Sequence, residues 1–327
     1  METRRLGGDG PALTRLGLGM AAIGRPAYQT LGHGEDFPEG RSPEAMERHA
    51  HAVLDAAWAA GVRYFDTARS YGKGEAFLRS WLERRGRAPA EVAVGSKWGY
   101  RYVGEWRLEA ERHEVKDHSP AAFAAQLAET EALLGPWLSL YQIHSVTPES
   151  PVLGDEAVLD GLARLRAQGV RVGLTVSGPR QAEVVLRALE VERGGAPLFD
   201  AVQATWNLLD PSCEPALVQA HAAGRTVIVK EPLANGRLTP RGDVGRAGLL
   251  AEVAGEAGAG VDAVALAAAL ARPWADVVLL GAATVAQLGA NLGALRVALP
   301  PESLARLGDL REAPAEYWAE RSRQPWT

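Results

Sequence analysis

Short apolar runs alternate with longer stretches of helical spacing along nearly the whole chain. Residues 16–22 (LGLGMAA) form the first run. In the stretch that follows, 43–60, Val53, Ala56, Ala57 and Ala60 keep the three-and-four spacing of a helix buried on one face. The pairing recurs seven more times. Strand-like runs at 63–67, 92–97, 138–143, 170–176, 201–205, 226–230 and 277–280 precede helical stretches at 74–84, 120–134, 155–168, 179–190, 213–223, 261–271 and 285–295. Eight strand–helix units without a linker predict an α/β chain folded as one (β/α)8 TIM barrel domain over residues 1–327. An open doubly wound sheet is the competing arrangement. Its glycine fingerprint is missing, since Gly17-x-Gly19 has no third glycine in place. Ahead of the first run, segments 3–6 and 12–16 flank GGDGP and predict an N-terminal β-hairpin that closes the barrel floor.

Three insertions break the alternation, at 24–41, 98–119 and 231–260. Loops this long are uncommon unless functional. Each follows a strand, so each falls on the C-terminal face, where sites of this fold are built. The second mixes Trp98, Tyr100, Tyr102 and Trp106 with charges and suits a wall over a substrate. The third is glycine-rich over 238–260 and is expected to be mobile. The tail, 316–327, holds Tyr317, Trp318 and Trp326 among charges; it could close over the site or pack against the barrel's side, and the second is expected.

Composition removes several classes. The chain has 327 residues, 35 basic and 40 acidic, for a net charge of −5, which argues against a nucleic-acid binder. Its one cysteine, Cys213, allows no intramolecular disulfide and no multi-thiolate metal site, and reads as a small residue near a helix start. No apolar run reaches the roughly 18 residues of a membrane span. METRRLGGDG has arginines without an apolar stretch behind them, unlike a signal peptide, so a cytoplasmic location is expected.

Polar residues at strand ends are the ones to question. Asp66 ends the second strand, Lys97 the third and His144 the fourth, and Tyr71 follows Asp66 by five residues. Singly each has a dull explanation, as a helix cap, a loop charge or a core histidine. Together they bring acidic, basic, imidazole and phenol groups to one mouth.

The stretches GVRYFDTARSYG, VGSKWG, LYQIHSV, VGLTVSG, VQATWNLLD, EPLANGRL and LLGAATVAQLGANLGA, in this order, resemble the aldo-keto reductase family over nearly the whole chain. The resemblance implies NAD(P)(H)-dependent reduction of a small aldehyde, ketone or sugar carbonyl to an alcohol, or the reverse. It places the catalytic positions on Asp66, Tyr71, Lys97 and His144. Tyr71 would be the general acid. A free tyrosine titrates near ~10, and a lysine ammonium beside it would pull that value down. Asp66 would hold Lys97, and His144 would orient the carbonyl oxygen. Cofactor positions fall on Met20, Ala21, Asp66, Ser177, Gln203, Trp206, Lys230, Glu231, Leu233, Gly236, Gly281, Thr284, Gln287 and Asn291. Trp206 would stack on the nicotinamide, where tyrosine or phenylalanine is usual. Glu231 stands where many members have serine, an unexpected acid near phosphates. Tyr28, Trp98 and His144 would touch the substrate, with Tyr100 and Trp106 on the rim. Ala283 holds the place where many members carry a basic residue for the 2′-phosphate, and Arg237 could reach in from the covering loop. NADP(H) is therefore expected only narrowly ahead of NAD(H). The alternative is a nucleotide-binding regulatory or interaction subunit with little turnover. Oligomeric state is not legible.

Overall fold

Eight parallel strands close into a barrel in chain order. They are β1 (Leu16–Gly19), β2 (Tyr64–Asp66), β3 (Ala93–Trp98), β4 (Leu138–Val146), β5 (Arg171–Val176), β6 (Ala201–Thr205), β7 (Thr226–Lys230) and β8 (Val277–Leu280). The helices that follow them are α1 (Pro43–Ala59), α2 (Gly74–Arg84), α3 (Pro120–Leu134), α4 (Glu156–Ala167), α5 (Gln181–Leu189), α6 (Glu214–Ala222), α7 (Val261–Leu270) and α8 (Val285–Leu292). The structure, a computed structural model, describes residues 1–246 and 248–327. Local chemistry sets the helix starts. Ser42 caps α1 by accepting from the Ala45 amide, with Pro43 at the first helical position. Ser119 and Pro120 repeat the device at α3.

Alternation along each strand divides the core in two. Outward residues such as Leu18, Phe65, Val94, Ile143, Leu174 and Val229 pack against the helices. Inward residues fill the lumen, where Tyr64, Ala93, Leu140, Ala201, Ile228, Val277 and Leu279 cluster with Leu6 and Leu13. Leu6 and Leu13 belong to the N-terminal hairpin, whose strands Thr3–Arg5 and Ala12–Thr14 pair antiparallel. The hairpin closes the floor, and its Gly7 amide donates to Thr226 Oγ1 on β7 (2.8 Å). Tyr64 lies across the lumen because its neighbours there are glycines. A Cβ at Gly95 would sit 2.5 Å from Tyr64 Oη, and one at Gly17 would sit 2.7 Å from its Cδ1.

Three features differ from expectation. β4 runs to Val146, past the expected end at 143, through an irregularity where Ser145 takes φ 53°. The extension keeps His144 within the strand, at the irregularity itself. The third insertion contains a helix, Leu249–Glu256, whose Leu250, Val253 and Ala254 pack with α7 and Leu307. An apolar face outweighs the glycines in this segment; Ala247 within it lies outside the described residues. Lastly, the C-terminal helix Pro314–Arg323 and the residues after it cross the mouth rather than the side. The backbones of Tyr28 and Thr327 hydrogen-bond each other (3.2 and 3.3 Å). Among the described residues no single helix is long and apolar enough to cross a membrane.

Candidate active site

Asp66, on the last residue of β2, is fixed by donors from four strands. Its Oδ1 accepts from Lys97 Nζ on β3. Its Oδ2 accepts from Tyr64 Oη (3.1 Å), Gln142 Nε2 (3.3 Å) and Gln203 Nε2 (3.0 Å) on β2, β4 and β6. Lys97 Nζ also donates to Thr67 O (2.8 Å) and lies 3.4 Å from Tyr71 Oη. The Tyr71 ring meets His144 edge-on at 5.6 Å, and Tyr100 meets His144 at 5.1 Å. The four groups expected from three strand ends and one loop therefore stand together.

Burial dominates their electrostatics. It holds the Lys97 ammonium below the ordinary lysine range even though Asp66 favours the charge. It pushes the Tyr71 phenol up, and the Asp66 carboxylate adds to the rise. The expected lowering of Tyr71 by Lys97 is thus reversed, because Lys97 is already matched by Asp66 and Tyr71 is shut off from water. Tyr71 keeps its proton at neutral pH. Burial also drives His144 well below its ordinary value, helped by Lys97, Lys230 and Arg25, so its imidazole is neutral.

Tyr71 and His144 line a cavity of about 460 Å³. It runs from the barrel axis outward past the end of β8 to α8 in the helix layer. The first and third insertions meet above it. Leu31 N donates to Asn235 O (3.1 Å), and Asn235 Nδ2 donates to Gln29 O (2.7 Å). The tail supplies Arg321, whose guanidinium donates to both carboxylate oxygens of Glu231 (2.9 and 3.1 Å from Nε).

The family model described as the aldo/keto reductase family matches residues 15–312. The chain belongs to the aldo-keto reductase family. An aldo-keto reductase of Strobilurus tenacellus is 27% identical over 187 residues, 57% of this chain and 51% of that protein. The chain thus spans about half the length of that relative. A D-threo-aldose 1-dehydrogenase of a Pseudomonas species is 27% identical over 254 residues, 73% of each protein. The holo form of an aldo-keto reductase from Bacillus halodurans shares the fold, with a TM-score of 0.72 at 21% identity over 96% of this chain and 97% of that one.

Of the positions that resemblance to aldo-keto reductases singled out, Ala21, Tyr28, Asp66, Tyr71, His144, Gln203, Lys230, Glu231, Leu233, Gly236, Gly281, Gln287 and Asn291 line the cavity. Lys97 lies buried directly behind Tyr71. Five further positions do not line it, and strand parity explains three. Lys97 points inward, so Trp98 points outward and packs against Phe123 (5.0 Å) and His118 (5.8 Å). Gln203 points inward, so Trp206, three residues on, faces the helix layer. Its indole donates to Glu214 (3.1 Å) and meets Trp274 at 5.8 Å, which removes it from any stacking place at the mouth. Met20 likewise points outward into the core between strands and helices. Ser177 lies past the end of β5, where the chain turns at Gly178 (φ 95°), and Thr284 caps α8 by accepting from the Gln287 amide (3.1 Å). Trp106 is tied down through its indole to Arg41 O (2.7 Å). Arg237 is held by Glu312 (2.6 and 2.9 Å) rather than reaching in.

Several charged and polar cavity residues were missed from the sequence, Asn235, Arg241 and Asp262 among them. Arg25 is buried with its guanidinium 5.2 Å from the Tyr71 ring and donates to Glu114 (2.9 Å). Arg321 and Asp36 line the cavity as well. All of these but Asp262, on the first turn of α7, lie in insertions or the tail, so insertion length was the available signal.

Proposed function

We propose that this protein is an NAD(P)(H)-dependent oxidoreductase that reduces a small aldehyde, ketone or sugar carbonyl to an alcohol, or runs the reverse reaction. The convergence of Lys97, Asp66, Tyr71 and His144 at the inner end of a single long cavity carries the reading. The cavity wall suits a dinucleotide. Asn235 Oδ1 and His144 Nδ1 are buried there without hydrogen-bond partners. A Cβ at Gly281 would meet nothing within 4 Å, so space opens beside β8. Lys230 and Arg321 offer cations for phosphates, and Gln203, Gln287 and Asn291 offer amides.

A bound nicotinamide supplies or accepts the hydride. The chain's own residues handle the proton and the oxygen. Tyr71 Oη, protonated at neutral pH, donates to the carbonyl oxygen as an alkoxide develops. The Lys97 ammonium 3.4 Å away, with Arg25 across the ring, steadies the phenolate left behind. Asp66 positions Lys97. Neutral His144 can hydrogen-bond the same oxygen without competing as an acid. In the reverse direction the same groups take up the alcohol proton. The Pseudomonas relative, described as an aldose dehydrogenase, supports a hydroxylated substrate.

The test is turnover. Purified protein should oxidise reduced dinucleotide with small aldehydes or aldoses. Tyr71→Phe should lose about 10²–10⁴-fold in kcat while binding dinucleotide as before. Full activity in this variant would remove Tyr71 as the acid.

A further inference from the structure

The outer end of the cavity, at α8, carries two buried carboxylates. Asp36 comes from the first insertion and Asp262 from the first turn of α7. Asp36 accepts from both terminal nitrogens of Arg241 (2.6 and 3.0 Å) and from Gln287 Nε2 (2.9 Å). Gln287 Oε1 in turn accepts from the Ala283 amide (2.7 Å). Asp36 is therefore fixed one amide away from the turn that opens α8. Asp262 accepts from Asn291 Nδ2 (2.9 Å). Two other groups face Asp36. His33 lies 3.9 Å away and is kept neutral by burial, its value pushed down to about 3. Arg41 directs its guanidinium to Pro26 O (2.8 Å) and His33 O. Among the cavity-lining residues at this end, two carboxylates stand against one guanidinium, that of Arg241.

Hydride transfer beside Tyr71 and His144 would put the nicotinamide at the inner end. The adenosine half would then fall to the α8 end, toward Gln287 and Asn291. There the two dinucleotides differ. NAD(H) presents a ribose 2′-hydroxyl, which can donate to a carboxylate. NADP(H) presents a 2′-phosphate, which a carboxylate repels. A carboxylate has about four acceptor sites, and Asp36 uses three. An acidic residue on the ribose hydroxyl is the device by which Rossmann folds select NAD; here the barrel supplies one from a loop.

We propose that Asp36 is a specificity-determining residue that selects NAD(H) over NADP(H), accepting from the ribose hydroxyl and opposing a 2′-phosphate. The inference rests on the dinucleotide reading above and turns its narrow lean toward NADP(H) around. The geometry matters more than the missing basic residue at Ala283, because a fixed acid discriminates actively.

The experiment is calorimetric titration of the full chain with NADH and with NADPH. NADH should bind about tenfold tighter or better, the scale of one hydrogen bond to a charged group. Asp36→Asn should shift the ratio toward NADPH by about tenfold. Asp36 also holds Arg241, so a loosened loop could blur the variant. The unaltered protein is therefore titrated as well with AMP and with adenosine 2′,5′-bisphosphate, and AMP should bind tighter. Tighter NADPH or bisphosphate binding by the unaltered protein overturns the proposal. So does an unchanged ratio in a folded Asp36→Asn variant, because it assigns the preference elsewhere. Binding of neither dinucleotide overturns the oxidoreductase reading itself, and the inference with it.

Discussion

Glu231 locks the C-terminal helix to the barrel mouth. Its backbone takes φ 54°, a left-handed value few non-glycine residues adopt. Its carboxylate accepts from Arg321 and from Thr205 Oγ1 (3.2 Å), and Lys230 Nζ lies 4.0 Å away. Burial alone would push this carboxyl up, but Arg321 and Lys230 outweigh it and pull the value from 4.5 to about 2. Such a lowering on folding contributes about 3 kcal/mol. Because the folded value lies below the unfolded one, this stability is present above pH 4.5 and is lost as pH falls toward 2. Arg321→Met leaves a buried carboxylate with only the more distant lysine and one hydroxyl, and should cost about 3 kcal/mol. Glu231→Gln frees a guanidinium that can still reach water, and should cost less, about 2 kcal/mol. In a double-mutant cycle the pair should couple by about 1.5–3 kcal/mol. Urea unfolding at pH 7 and pH 3.5 reads these values. The gap between the unaltered protein and Arg321→Met should narrow at the lower pH. Limited proteolysis should also clip the tail sooner in either variant. Additive single costs, or a gap that ignores pH, would refute the lock.

Gly95→Ala drives a methyl into Tyr64 and should destabilise by about 1–3 kcal/mol, read as a lowered Tm. Tyr64→Phe in the same chain removes the clashing hydroxyl and should recover part of the loss, whereas an unchanged Tm in Gly95→Ala would mean that Tyr64 does not cross the lumen there. Burial pulls Lys230 down to about 8, so its cation is present below that pH and fades above it. Dinucleotide affinity should therefore fall between pH 7 and 9, and Lys230→Met should flatten the profile; an identical slope in the variant would detach Lys230 from the phosphates.

Much of the fold was legible because a barrel repeats its signal eight times. The convergence of Asp66, Tyr71, Lys97 and His144 was legible because strand ends in a closed barrel must meet. The errors came from facing rather than position. The motif puts Trp98 against the substrate, although its neighbour Lys97 already claims the inward side. The same count from Gln203 turns Trp206 outward. An aromatic residue in a suggestive motif outweighed a parity that the strand fixes. The rise in Tyr71 was hidden for a different reason. Charge partners can be read from a motif, but the extent of burial depends on the loops above it. Contacts between insertions leave no period in the sequence at all. Asp36 meets Gln287 across 251 residues and Glu231 meets Arg321 across 90.

That division is also a division of labour. Asp66 takes donors from β2, β3, β4 and β6 at once, so no single loop movement can turn it. Lys97 and Tyr71 inherit that rigidity, since Lys97 bridges Asp66 to the phenol. The groups around the outer cavity have no such support. Asp36, Asn235 and Arg321 come from two insertions and the tail, and they are held largely by other insertion residues, Asp36 by Arg241, Asn235 by Gln29 and Arg321 by Glu231. Substitutions in the loops should therefore change which dinucleotide and which carbonyl are accepted while the proton chemistry persists. Substitutions that loosen the lumen, Gly95→Ala among them, should damage the chemistry with every substrate alike.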